Sequence, residues 1–515
     1  MTPGELFRKW NRSVRKECKY AFAAAVVIAL LIHMPVMLSD IPNHDGLDSI
    51  YFDQNMITSG RWFLMIACGL SSFYSLPWVI GLIGILFLGI AAALLTEILQ
   101  VRHAWAAVLV GGLLVSFPAL ASTFAYVFTL DGYMLGLLLA VTAVFLTGKY
   151  RKGFLAGAVC LAFSMGTYQA YLPFAMILSV FAIWMLLARE GSNTDKFRHT
   201  LRYLYMGAGG AALYYLLLRI LLAMQGKQLA SYQGINGMTS GAASGGLLTT
   251  VLTMYRDFFA FTLKGKVLYN NKLSALAFVL LFAAALVVFG GMVFRRKWWK
   301  NPRFLFIIVL SLAGLPLATN VILFISPSVT YHLLMRYQWV LYLIGAVAFV
   351  SNREEEHKGA VAGQWLVLIA AVVLIFAYGV TDNIGYSNLN KRYEKTYAYC
   401  VRLLDRIEQT EGYYPGIPVA MIGVVGDEQY PLTDVTQDVT SNLIGLGGDM
   451  LLYTGRNYEK FIRNYLGATL NILPAEAMAE MYYDERYVEM QSFPGEDSIR
   501  IIDGIMYIKT ENVNR

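Results

Sequence analysis

Long apolar runs separated by short polar breaks fill most of the chain. A helix rising about 1.5 Å per residue needs roughly 20 apolar residues to cross a hydrocarbon core. That length divides the runs into eleven spans near 20–38, 76–98, 104–122, 131–147, 153–166, 171–188, 203–224, 273–294, 304–325, 335–351 and 360–381. The apolar stretch 153–188 is too long for one crossing, so it divides at Gly166-Thr167-Tyr168-Gln169 into two short helices that meet at the outer face. The pattern predicts a polytopic α-helical membrane protein of about 11 transmembrane helices.

The polar breaks carry the direction of insertion. Arg8, Lys9, Arg12, Arg15, Lys16 and Lys19 precede the first span, and every second break after it is basic: Arg102-His103, 149–152, 189–202, 295–303 and 353–358. Lys and Arg collect on the cytoplasmic side, which puts residues 1–19 inside. The first run is too long for a cleaved secretory signal and no small-residue cleavage site follows it, so it reads as a retained anchor. The outer side then receives segments 39–75 and 225–271 and everything after Thr381. The transmembrane region is 20–381, and the C-terminus is extracytoplasmic.

Residues 382–515 have a different rhythm. Tyr393, Tyr397, Cys400, Leu404 and Ile407 repeat at helical spacing, and 417–425 is an apolar run of strand length. Ser498–Ile502 and Ile505–Lys509 flank Asp503-Gly504, a two-residue turn that permits positive φ and so predicts a hairpin. With helices near 458–466 and 474–482, these elements predict a small α/β domain outside the membrane. Within 225–271, a Gly/Ser-rich stretch at 237–246 precedes 247–263, whose apolar spacing predicts a helix on the bilayer surface with Arg256 and Asp257 turned to water. Such a loop beside a cavity suits a substrate lid.

Composition agrees: 57% hydrophobic and 15% charged residues, with mean hydropathy +0.52, need lipid around them. The net charge of +7 resides in the cytoplasmic clusters and does not indicate nucleic acid. Cys18, Cys68, Cys160 and Cys400 are scattered, with neither metal-site nor disulfide-framework spacing. The chain has no Walker motif, dinucleotide fingerprint, G-x-S-x-G elbow or H-E-x-x-H, which excludes soluble nucleotide-driven and common hydrolase chemistries.

Candidate chemistry gathers at the outer ends of spans. Asn43-His44-Asp45-Gly46-Leu47-Asp48 puts two carboxylates directly after the first span, followed by Gly60-Arg61-Trp62. A carboxylate at the mouth of an intramembrane cavity loses hydration and gains basicity, enough to take a proton from an alcohol; an acidic outer loop on its own is usually just solvated. Asp131 opens the fourth span, where it either caps the helix or faces a cavity. Tyr168 and Gln169 bring hydroxyl and amide groups to the same depth. Arg219 and Arg336, with His332 one turn before the latter, could hold a phosphate or simply snorkel. His33 and His103 read as interfacial residues.

The order of basic N-terminus, first span, Asn43-His44-Asp45, Gly60-Arg61-Trp62, Tyr168-Gln169 between short spans and the Ser498–Gly504 ending resembles the Gtr-type glucosyltransferases that modify O-antigen and other surface polysaccharides, within the GT-C superfamily. The resemblance implies a hexose, glucose or another, transferred from a polyprenyl-phosphate donor to a surface glycan or lipid-linked acceptor on the outer face, with inversion. It implies Asp45 as base, Asp48 or Asp131 as second carboxylate, and His44, Arg61, Trp62, Tyr168, Gln169, Arg219, Arg256, His332 and Arg336 in substrate binding. Family members often carry adjacent acidic residues in this loop, whereas Gly46 and Leu47 separate the pair here, leaving Asp45 and Asp48 both open as the base. No metal and no cofactor is expected, since a donor with one phosphate can be neutralised by arginines. The bilayer, a flippase and a donor-synthesising membrane enzyme are the expected partners. A transporter or flippase for lipid-linked sugars, or a polysaccharide polymerase or ligase, is the alternative; a transporter usually places its polar groups at the midplane and repeats in halves.

Overall fold

The computed structural model describes residues 2–49, 53–72, 75–189, 191–230, 246–326, 329–352, 358–422, 442–446, 451–452 and 454–510. The protein is a polytopic helical membrane protein. Among the described residues, nine helices are long and apolar enough to cross a bilayer, and Ala104–Ser116 with Pro118–Phe124, bent by 50°, makes a tenth. The bend falls at Pro118, whose ring cannot continue the preceding helix. The eleventh apolar segment, Gly153–Thr167, is a helix of 15 residues and falls short of the crossing length.

Packing follows side-chain size. On Lys16–Leu38 the row Ala21, Ala25, Ala29 is fully buried, so that neighbouring helices approach closely, as small residues allow where lipid offers no hydrophobic drive to association. Val127–Lys149 and Leu333–Ser351 are mostly buried and form the interior, whereas Lys272–Arg295 lies at the rim with Leu286 and Val287 exposed. His33 is not interfacial: it is fully buried, 2.6 Å from the Tyr386 hydroxyl and 2.8 Å from the Val115 carbonyl, with its ring stacked 4.0 Å from Phe124. The sequence pattern around His33 could not show this, because Tyr386 comes from the far end of the chain.

One end of the bundle is basic. There Arg15 and Lys149 reach Glu97, at 3.2 and 3.8 Å, and the Asn352 amide donates to the Leu99 carbonyl at 3.0 Å. Alternation along the helices brings residues 39–49 and 53–72, Asp131, Tyr168 and Arg336 to the other end.

The last span does not stop at residue 381. Lys358–Glu408 is one helix of 51 residues, about 75 Å long, of which some 30 Å suffices for a bilayer. Its C-terminal half carries a buried stripe of Arg392, Thr396, Tyr399, Cys400, Leu403 and Ile407, so the expected face is rotated and Tyr397 is exposed. Tyr399 of that stripe meets the rings of Tyr458 and Phe493, and Arg392 donates to the Leu446 carbonyl; the same C-terminal region holds a four-stranded sheet of order β2 (Asn471–Ile472), β1 (Pro418–Ile422), β4 (Ile505–Lys509), β3 (Ile499–Ile502). The β3–β4 hairpin turns at Asp503 and Gly504 with φ of 50° and 79°, as the dipeptide predicts. Short helices Gly455–Phe461 and Ala475–Met478 occupy the two expected helical places. The expected strand beyond Ile422 and the Gly/Ser stretch up to residue 245 lie outside the described residues. The helix expected at 247–263 is present as Gly246–Lys264, with Leu247, Leu248, Leu252, Phe259 and Leu263 exposed.

Candidate functional site

The segment after the first span folds onto itself before it meets anything else. Asn43 is buried; its side-chain oxygen accepts from the Gly46 N–H at 2.8 Å, and its amide donates to the Ala125 carbonyl at 3.0 Å. This starts the short helix His44–Ser49, buries Leu47 and leaves Asp45 exposed. His44 and Asp48 contribute backbone to this helix, and their side chains lie outside the described residues. The helix packs against Gly455–Phe461 and the 3-10 turn Val127–Thr129.

Residues 56–62 are pinned from below. Gln169 donates to the Ser59 carbonyl at 2.9 Å and to the Tyr214 hydroxyl at 3.0 Å, and Tyr214 donates to the Gly60 carbonyl at 3.1 Å. The Phe63 N–H donates to the Gly166 carbonyl at 2.8 Å. Gly166 is where Trp62 rests: a Cβ there would stand 2.6 Å from the indole. The Trp62 N–H is buried without a hydrogen-bond partner among the described residues. Arg61 donates to the Tyr133 hydroxyl at 3.1 Å and lies 4.9 Å from the centre of the Tyr168 ring, which stacks on Tyr133 at 4.8 Å. Asp45 and Arg61 both lie within Coulombic reach of that Tyr133 hydroxyl. Thus Asp45, Arg61, Trp62, Tyr168 and Gln169, separated by more than a hundred residues in sequence, share one end of the bundle.

A second cluster adjoins this one through Tyr331, which lies within Coulombic reach of Tyr168. Arg336 is buried between the rings of Tyr331, 3.8 Å away, and Phe261, 4.6 Å away. Its two terminal nitrogens donate to the two oxygens of Asp257 at 2.7 and 2.8 Å. Asp257 therefore does not turn to water with Arg256, which is exposed; it draws the surface helix down onto the bundle. Burial pushes the Tyr331 hydroxyl above its ordinary range and His332 below its own.

The other candidates sit elsewhere. Asp131 is buried, with its carboxylate accepting from the Ser71 hydroxyl, from the Gly132 N–H at 2.9 Å and from the Ser71 N–H at 3.4 Å. It ties the segment after Arg61 to the start of a span. Arg219 is exposed on Asn193–Met224. Two groups went unread in the sequence. One is Asp257, as the partner of Arg336. The other is Asp40, exposed yet crowded by Tyr393 and Tyr465, whose carboxyl partial desolvation holds above the ordinary carboxylate range. Its position within two residues of the first span's end was the available signal. Among the described residues no group of three His, Cys, Asp or Glu side chains converges to hold a metal.

The sequence model of the family described as Glucosyl transferase GtrII matches residues 34–352, from the end of the first span to the end of Leu333–Ser351. No curated protein and no solved structure matches the chain.

Proposed function

The chain belongs to the glucosyl transferase GtrII family, and from that premise we propose that this membrane glycosyltransferase moves a hexose from a polyprenyl-phosphate donor to a surface glycan or lipid-linked acceptor, at the end of the bundle that carries Asp45. The observation that carries the reading is Arg61 on the stacked pair Tyr133 and Tyr168, with the exposed carboxylate of Asp45 within Coulombic reach of Tyr133 and the Arg336 cluster adjoining through Tyr331. By the positive-inside rule the opposite, basic end is cytoplasmic, which makes the Asp45 end extracytoplasmic.

The proposed reaction is an inverting displacement. The acceptor oxygen attacks the anomeric carbon, the bond from that carbon to the phosphate oxygen breaks, and Asp45 takes the acceptor proton. The negative charge that develops on the leaving polyprenyl phosphate is the charge the site must hold. Arg336 is suited to that work because a carboxylate already occupies its two-pronged donor face, and a phosphate fits the same fork. Arg61 shares the neighbourhood of Tyr133 with Asp45, and the unpartnered Trp62 N–H offers a donor to a sugar hydroxyl. Asp48 remains the alternative base. Asp131 is engaged by Ser71, which favours a supporting role.

Purified enzyme in detergent, given a polyprenyl-phosphate hexose and an acceptor glycan, is expected to form product, whereas a flippase would form none. Asp45→Asn is expected to lower turnover by about 10²–10⁴-fold while donor binding persists. Full turnover in both Asp45→Asn and Asp48→Asn would overturn the assignment of the base.

A further inference from the structure

The basic end of the bundle holds a concavity that sugar transfer does not use. Two stretches build it: the facing ends of Gln169–Ala188 and Asn193–Met224 with Arg189 and Gly191, and the turn joining Lys272–Arg295 to Pro302–Thr319. They enclose about 700 Å³, walled by Arg189, Lys196, Arg296, Lys297, Lys300 and Arg303, with no carboxylate among the described lining residues. Asp195, in the first turn of Asn193–Met224, is not part of the wall.

The walls are fixed in place. Lys196 is buried; its ammonium donates to the Leu187 carbonyl at 3.2 Å and to the Arg189 carbonyl, and lies 5.7 Å from the centre of the Phe304 ring. Arg303 lies 5.6 Å from the Phe197 ring. Beneath the cations, Leu187, Trp298 and Phe304 form an apolar floor, part of a small cluster with Ile307 and Ile308 that is separate from the main core. Beside the turn, Trp299 and Phe306 are exposed, as residues facing lipid at the membrane boundary are.

With Lys196 already engaged, five cations, Arg189, Arg296, Lys297, Lys300 and Arg303, remain around one concavity and repel each other unless an anion neutralises them. The anion must present several oxygens to guanidinium and ammonium donors, and the apolar floor and flank favour one that carries hydrocarbon. We propose that this cavity binds the phosphate headgroup of an anionic phospholipid from the leaflet at the basic end, a lipid site distinct from the one proposed for the donor. The proposal rests on the membrane fold and not on the identity of the transferred sugar.

The test uses the full chain in detergent and compares it with the triple variant Arg296→Gln, Lys300→Gln, Arg303→Gln, all three of which are exposed. Three probes are titrated: dioctanoyl phosphatidylglycerol, dioctanoyl phosphatidylcholine and glycerol phosphate. Bound lipid is counted by native mass spectrometry and stabilisation is followed as Tm. Phosphatidylglycerol is expected to bind the parent chain and raise its Tm. Each charge removed should weaken it about fivefold, roughly a hundredfold for all three, and Lys300→Arg should retain binding. Equal binding of phosphatidylglycerol to parent and triple variant, or equal binding of phosphatidylcholine to the parent, would overturn the site. Equal stabilisation by glycerol phosphate would overturn the lipid as its source. If the triple variant does not fold, the single variant Lys300→Gln, expected to weaken binding about fivefold, decides by the same criteria.

Discussion

Arg336 and Asp257 meet through two parallel hydrogen bonds of 2.7 and 2.8 Å, although one begins the interior span and the other rides on the surface helix. The pair ties Gly246–Lys264 to the bundle, and the fork that holds the carboxylate is the one proposed to hold the donor phosphate. Substrate and Asp257 would then compete for the same guanidinium, and lid opening would accompany donor entry. Asp257→Asn is therefore expected to lower the donor KM and Arg336→Gln to raise it, measured as initial rates against donor concentration. Either single change should also lower stability by about 1–3 kcal/mol, since the partner left behind stays partly buried.

Gly166→Ala tests the seat of Trp62. The added methyl carbon would stand 2.6 Å from the indole, and backbone carried by the Phe63 to Gly166 hydrogen bond leaves little room to yield. A stability loss of about 1–3 kcal/mol is expected, together with a fall in turnover, because Arg61 adjoins Trp62 in the chain. Thermal unfolding beside steady-state kinetics separates the two effects.

Asp131 and Ser71 should behave as a structural pair. Asp131→Asn and Ser71→Ala are each expected to cost about 1–3 kcal/mol, the range for orphaning a buried hydrogen-bonding group. Turnover per folded molecule should persist, and a double-mutant cycle on Tm should show that the two losses do not add. Loss of turnover in a well-folded Asp131→Asn enzyme would restore this carboxylate to the chemistry.

Asp40 provides a pH signature. Its folded pKa lies above the value of 3.8 it has when unfolded, so the folded state binds the proton more tightly and ionisation costs stability at neutral pH. As pH falls through the folded value toward 3.8, that cost is relieved. Asp40→Asn is expected to be the more stable protein at neutral pH and to lose this rise on acidification, measured as Tm against pH.

Hydropathy is a property of each segment alone, so the positions of all eleven apolar segments, the surface helix and the Asp503-Gly504 hairpin were determined by the sequence without reference to any partner. So was the gathering of Asp45, Arg61, Tyr168 and Gln169 at one end, since alternate crossings return the chain to the same side. Polar pairing is different, because it depends on which helices become neighbours and how each is rotated about its axis. Only the tertiary structure brought Asp257 to Arg336, Ser71 to Asp131 and Tyr386 to His33, and only it joined the last span to the helix that follows it as one rod. The stripe on that rod shows the reason: Tyr397 fits the apolar repeat but is exposed, while Arg392 and Thr396 are buried, Arg392 donating to the carbonyl of Leu446 from the C-terminal region.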